Sequence, residues 1–357
     1  MDSTFVLLVS VIVLSVIFDY VNGFHDTANA IATVVSTNVL TPRTAIFLAA
    51  ICNFGGAFAG TGVAAMIGGG IADPTSITQT VVLCAVGGAI IWNLITWYFG
   101  IPSSSSHALV GGIVGAALCY RMCQFGDPFG TTLWGLVNTE GVLLVVTALI
   151  LSPLFGLAGG FVMMILLLWM VRRSAPSSVN RLFRRLQLIS ASSMAFSHGS
   201  NDAQKAMGII TMALVSYYAQ HPGPSSVVIA QGPKGMVIPL WVILTCATAM
   251  ALGTAAGGWR IIKTMGQKII KLKPIHGFAA ETAGAMVIQV ATHAFHAPVS
   301  TTHVISSSIM GVGASQRASA VRWGIAGHIF IAWILTLPVS ALMASLLYCA
   351  LRPLLGG

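Results

Sequence analysis

An all-α, polytopic transmembrane bundle is the fold this sequence predicts, and three observations predict it. Hydrophobic residues make up 56% of the 357 residues and charged residues 7%, with a mean hydropathy of +0.89. A soluble globular chain carries about 25% charged residues, so this chain lacks the charge to cover a water-facing surface. Apolar runs at 4–22, 44–69, 79–99, 141–171, 238–259 and 320–351 are long enough to cross a bilayer, which takes roughly 20 residues per helix. Two polar motifs set in that apolar background each occur twice, in the same order. The chain reads as one integral membrane domain with no soluble appendage.

The first run has only Asp2 as a charged residue before it. A cleaved signal starts with a basic region, so residues 4–22 are expected to persist as the start of a helix within the stretch 4–40. Further apolar segments at 44–69, 79–99, 104–120 and 141–171 bring the first half to five. Arg172, Arg173, Arg181, Arg184 and Arg185 then form an Arg-rich linker, in which Ala175, Pro176, Ser177 and Ser178 are expected to break the helix. Five more segments follow at 187–219, 238–259, 279–295, 299–314 and 320–351. The expected organisation is a first transmembrane repeat over 1–171, a cytoplasmic linker over 172–186 and a second repeat over 187–357.

The net charge of +9 sits almost wholly in short loops between apolar runs. That is the signature of cytoplasmic loops, and no basic domain of the kind that binds nucleic acid is present. A second basic loop carries Arg260, Lys263, Lys268, Lys271 and Lys273. Placing both basic loops inside puts Arg43, Arg317 and Arg322 inside as well. Arg121, Lys234 and Arg352 then fall outside with Asp2, Asp73, Asp127 and Glu140. Five segments is an odd number, so the second half enters the membrane from the opposite side and both termini are expected outside. Related halves placed that way are inverted repeats, the plan of secondary transporters.

Cys52, Cys84, Cys119, Cys123, Cys246 and Cys349 are scattered through the apolar runs. Cys119 and Cys123 share a helix face but have no CxxC or CxxH partner set, so all six read as small packing residues. No dedicated metal site and no cofactor is expected.

The repeat is legible in two motif pairs. Asn22-Gly-Phe-His-Asp-Thr-Ala-Asn-Ala30 matches His198-Gly-Ser-Asn-Asp-Ala-Gln-Lys-Ala206, with Gly23 on Gly199, Asp26 on Asp202 and Ala30 on Ala206. Pro102-Ser-Ser-Ser-Ser-His107 matches Pro298-Val-Ser-Thr-Thr-His303, and Asn93 and Gln289 precede them at equal distances.

Asp26 and Asp202 lie deep within apolar stretches. A carboxylate at the bilayer centre costs about 2.5–3.5 kcal/mol, and it persists where it binds or exchanges a cation. Gly23 and Gly199 are expected to break the two helices there and expose backbone groups to an ion. Asp19 and Glu281 are also intramembrane but are not repeated.

Pro102 and Pro298 each separate two short apolar segments, 79–99 from 104–120 and 279–295 from 299–314. Proline suits a helix start, and Ser or Thr caps the free N–H groups there. Such a terminus attracts anions. Ser103, Ser104, Ser105 and Ser106 in one copy and Ser300, Thr301 and Thr302 in the other offer hydroxyl donors to a tetrahedral oxyanion. The segments are expected to be re-entrant helical hairpins whose tips meet near mid-membrane. His107 and His303 either brace those tips or touch solute.

With these residues in view, the sequence resembles the inorganic phosphate transporter (Pit) family and its bacterial low-affinity symporter subgroup. That family carries Gly-Ala-Asn-Asp-x-x-Asn-Ala and Pro-Val-Ser-Thr-Thr-His in each half. Pro298–His303 is the second string in full; Asp26, Asn29 and Ala30 match the first acidic copy and Asn201 and Asp202 the second. The resemblance covers essentially the whole chain, although the long hydrophilic central loop of many members is absent. It implies symport of inorganic phosphate through a central site in the bacterial inner membrane. The hydroxyl tips would take the anion, and Asp26, Asn29, Asn201 and Asp202 the coupling cation.

Two departures bear on that cation. His25 stands where the pattern has Asn, and Lys205 where the second copy has its last Asn. An ammonium coordinates no sodium; beside Asp202 it would fill a sodium position or bind phosphate itself. A histidine adds a group that titrates near neutrality. Both variants resemble the bacterial subgroup, associated with protons and with neutral complexes of a divalent metal and phosphate, so proton coupling is expected over sodium.

Other readings are a sodium-coupled phosphate symporter, a carrier for another oxyanion such as sulfate, and a channel. An intramembrane enzyme fits poorly: Ser106 and His107 are adjacent in the chain, a poor geometry for a Ser–His dyad, and no Gly-x-Ser-x-Gly elbow is present. A homo-oligomer is left open.

Overall fold

The computed structural model describes residues 3–71, 77–126, 139–221 and 236–355, and among them helices are the only regular secondary structure. Asp2, Asp73, Asp127 and Lys234 lie outside the described residues. In the first half α1 spans Ser3–Ser36 and α2 Pro42–Gly56; α3 covers Gly62–Ala65 and runs into a π-helical turn at Met66–Gly70. Then come α4 (Gln79–Phe99), α5 (Ser105–Phe125) and α6 (Thr139–Val171). The second half repeats this order. Its members are α7 (Pro176–Gln220), α8 (Leu240–Ala256), α9 (Trp259–Lys263) with a π-helical turn at Thr264–Lys268, α10 (Pro274–Ala294), α11 (Thr301–Gln316) and α12 (Trp323–Leu355). All ten apolar segments of the sequence are present, two of them as broken pairs.

Local chemistry sets the ends. Thr41 and Thr78 cap α2 and α4 by accepting from the N–H groups of Thr44 and Val81. Gly100, at φ +66°, closes α4 in the left-handed conformation, and its amide bonds back to the Trp97 carbonyl. Glycine adopts that conformation without a Cβ penalty. Here it also sits under Arg260, whose Cβ would be 3.2 Å from any added side chain. Ser104 and Ser300 cap α5 and α11 identically, each accepting at 3.2 Å from the amide three residues on.

Helices α1, α4, α5, α6 and α12 are long and apolar enough to cross a membrane, and α8 with α9, bent by 61°, adds a sixth candidate span. α7 misses that standard because its buried middle is polar, from Gln187 to Lys205.

Two expectations are corrected. Gly23 and Gly199 break no helix: α1 and α7 run through them without interruption. Both are close-packing positions. A Cβ on Gly23 would lie 2.9 Å from the Thr254 amide of α8, and one on Gly199 would collide with the Asn53 backbone of α2. Small residues let membrane helices approach this closely. The breaks fall instead between α2 and α3 and between α8 and α9, the latter at Gly257 with φ +75°. In the Arg-rich linker, only residues 172–175 separate α6 from α7. Pro176 starts α7 because the first turn has no N–H bond for proline to lose, so Arg181, Arg184 and Arg185 lie on the helix.

The halves interlock. α1 packs on α8 and α7 on α2, while α5 packs on α12 and α11 on α6. The basic loops gather on one face. Arg184 donates to the Asn38 carbonyl and Arg322 to that of Gln267, and Arg172, Lys273 and Gln316 line one cleft. At the other face the Phe5 ring meets Tyr217, and Ser216 donates to the Ile77 carbonyl.

Candidate functional site

The two hairpin tips, 100–105 and 295–300, reach the middle of the bundle and meet the acidic motifs of α1 and α7. Ser106 Oγ on one tip donates to the Val299 carbonyl on the other at 3.2 Å. The His107 and His303 rings lie 4.5 Å apart, His303 stacks on Trp333 at 3.9 Å, and the Trp333 indole donates to the Pro102 carbonyl. These rings therefore brace the tips.

Around Asp26, His25 Nδ1 lies 2.6 Å from Oδ1, Ser105 donates to Oδ2 at 3.4 Å and Thr302 donates to Oδ1 at 3.4 Å. The other ring nitrogen of His25 faces Thr96 at 3.0 Å and Ser103 at 3.3 Å. Around Asp202, Lys205 Nζ lies at 2.8 Å, His198 Nε2 at 3.5 Å, Asn22 Nδ2 at 3.4 Å and Thr301 Oγ1 at 3.3 Å. Lys205 Nζ also donates to Ser105 Oγ at 3.1 Å, and Asn29 Nδ2 donates to Thr301 and Thr302 at 3.2 and 2.9 Å. With its amide oriented to satisfy its neighbours, Asn201 donates to Asp202 Oδ1 and to the Val299 carbonyl.

Every residue expected at the site is thus in one cluster, apart from a flanking pair. Gln289 turns to α7, donating to Ser197 and Ser200 at 3.0 and 3.2 Å, while the Asn93 amide, at the matching place in α4, is buried without a protein partner. Gln289 is half-buried; every other site residue is at most 5% exposed, so the site is sealed from solvent. Ser104 and Ser300 use an oxygen lone pair as helix caps, which leaves each O–H to donate.

The chemistry of this enclosure is charge compensation. Two carboxylates face the N-termini of α5 and α11, and the fixed ammonium of Lys205 bridges Asp202 to the first tip. Positive helix ends, aligned hydroxyls and an ammonium attract an oxyanion. Ligand atoms of Asp26, His198 and Asp202 lie within 4.8 Å of one another, and Lys205 Nζ lies 2.8 Å from the same Asp202 carboxylate.

Several contributors escaped the sequence reading. Asn22 and His198 both touch Asp202; they stand at matching places in the acidic motifs, four residues before each aspartate, and that equivalence was the available signal. Thr96, which holds His25, carries no such signal. Outside the centre, Glu281 accepts from Thr33 of α1 and from Ser190 and, at 3.2 Å, Gln187 of α7, so this carboxylate is satisfied by two helices. The fold also brings Cys349 to Cys119, Sγ to Sγ at 3.3 Å, with Cys123 close by.

Comparison with known proteins agrees with this geometry. The sequence profile of the phosphate transporter family matches residues 22–344. A probable low-affinity inorganic phosphate transporter of Bacillus subtilis is 46% identical over 354 residues, covering 99% of both chains. One of Rhizobium meliloti is 47% identical over 356 residues, covering 98% of both. A solved structure titled the sodium-dependent phosphate transporter superposes with a TM-score of 0.83 at 24% identity, covering 98% of this chain and 99% of that one; at this identity it supports the fold. Extensive identity over full length, the family profile and the fold agree: the chain belongs to the phosphate transporter family, whose members are transporters and not enzymes.

Proposed function

We propose that the protein is a secondary symporter that imports inorganic phosphate into a bacterial cell, driven by protons and working by alternating access. The observation that carries the reading is the buried contact of Lys205 Nζ with Asp202 at 2.8 Å and Ser105 at 3.1 Å. An ammonium held there supplies the positive charge that a sodium ion would otherwise bring. Variable charge then comes from protons on the His25–Asp26 pair and its neighbours. Phosphate is received by the hydroxyls and N–H groups of residues 103–106 and 300–302, with Lys205 as its counter-charge. Neutralising the anion inside a low-dielectric enclosure lets the halves rock about the site. The halves are inverted relative to one another, the basic loops face the cytoplasm and both termini lie outside.

The test is uptake of labelled phosphate into proteoliposomes under an imposed proton or sodium gradient. Accumulation on the proton gradient alone supports the reading; strong accumulation on sodium with no proton gradient defeats it in favour of sodium symport. Competition by arsenate but not by sulfate separates phosphate from other oxyanions, and dependence on added magnesium reports transport of a metal–phosphate complex.

A further inference from the structure

Asp19 is fully buried on α1, and no N–H or O–H group donates to either of its carboxylate oxygens. It contrasts with the other intramembrane acids, for Asp26, Asp202 and Glu281 are each held by several donors. A buried carboxylate anion with no strong donor is costly, and the neutral acid far less so, so this position favours a bound proton. The surroundings give the proton a consequence. Asp19 lies two helical turns before Asp26 on the same face of α1, about 10 Å along the axis. From α7 it experiences the charges of Asp202 and Lys205, and from α8 it faces the thiol of Cys246, a weak donor. α4 contributes no charged side chain. Between Asp19 and the centre stands Asn22, which donates to Asp202.

We infer that Asp19 is a proton-binding site whose occupancy is thermodynamically coupled to phosphate binding at Lys205 and the hairpin tips. With its proton, Asp19 is neutral and the Lys205 charge is shared by Asp202 and the incoming anion. Without it, a second carboxylate draws on the same ammonium and repels phosphate through a low-dielectric interior. A proton taken from solution onto an Asp19 oxygen therefore raises phosphate affinity, and bound phosphate raises proton affinity by the same factor. α1 starts at the face away from the basic loops, and Asp19 is nearer that face than Asp26.

This inference rests on proton coupling, and the experiment separates the two. Asp19→Asn fixes the neutral state. In proteoliposomes the variant is expected to exchange internal for external phosphate at the wild-type rate and with a weaker pH dependence than the wild type. Its accumulation of phosphate on a proton gradient should fall by about tenfold or more. Asp19→Glu, which returns an acid, should restore accumulation. Wild-type accumulation by Asp19→Asn, or loss of exchange together with accumulation, overturns the role of Asp19 while leaving proton coupling standing. Wild-type protein driven by sodium alone overturns both. If Asp19→Asn is not recovered in the membrane, infrared difference spectra of the wild type on adding phosphate decide: a protonated-carboxyl band that grows or shifts supports the site, and its absence overturns it.

Discussion

The Lys205 ammonium lies 2.8 Å from the Asp202 carboxylate, at the place in α7 that Asn29 holds in α1. Asn29 reaches across to Thr301 and Thr302 on the second hairpin, while Lys205 reaches across to Ser105 on the first. Each acidic motif therefore grips the opposite hairpin tip, one through a neutral amide and the other through a charge. That difference breaks the equivalence of the halves at the centre of the site.

Replacing Lys205 with Asn should make the two halves alike. Removing one partner of a buried pair leaves an uncompensated charge and costs about 3–5 kcal/mol. Proton-driven uptake is expected to be lost and thermal stability in detergent to fall. Any residual uptake should respond to added sodium, because a vacated cationic position beside Asp202 accepts an external cation. Uptake by K205N that matches the wild type would remove Lys205 from coupling.

Asp26→Asn and Asp202→Asn should each abolish phosphate uptake while the protein stays in the membrane fraction. Asp26 accepts from both hairpins, through Ser105 and Thr302, and Asp202 from the second, through Thr301, so each ties the anion tips to the helix that carries it. Uptake retained in both single variants would take the acidic motifs out of the mechanism; an immunoblot of membranes alongside the assay reads the protein level.

The hydroxyls of the first tip should separate into two kinds. Ser104→Ala removes a helix cap, at about 1 kcal/mol, and is expected to lower the melting temperature with a modest change in transport. Ser105→Ala removes the bridge between Lys205 and Asp26 and should raise the KM for phosphate while leaving the melting temperature near that of the wild type. The comparison needs thermal melts and uptake kinetics on the same preparations.

Gly23→Leu and Gly199→Leu should prevent folding or insertion. A side chain at either position meets backbone atoms of α8 or α2, and backbone does not yield as a flexible side chain does. A folded, active Gly199→Leu protein would show that α2 and α7 do not pack as described.

Mild oxidation should join Cys119 to Cys349 within one chain, since their sulfurs are 3.3 Å apart. Mass spectrometry of the peptides detects the link, and Cys349→Ser should prevent it. α5 and α12 are in close backbone contact at Gly111 and Gly115 and are expected to move as one body, so the cross-link should leave uptake unchanged.

The amino-acid sequence by itself determined the helical membrane bundle, the paired motifs and the residue types at the helix starts they form. These follow from local properties: apolar run length, the proline-led hydroxyl strings, and carboxylates whose burial in lipid demands a use. Tertiary structure alone decided who meets whom. Asn22 and Asp202 lie 180 residues apart, and Lys205 and Ser105 100 apart, so no local pattern records those contacts. It also reversed the meaning of Gly23 and Gly199. A glycine in a helix permits either a break or a close neighbour, and only the presence of α8 and α2 against them selects the second. For Asp19 the sequence gives a buried acid and nothing more. That it faces no donor stronger than the Cys246 thiol, which makes it a candidate carrier of the proton, is a property of the packed helices around it.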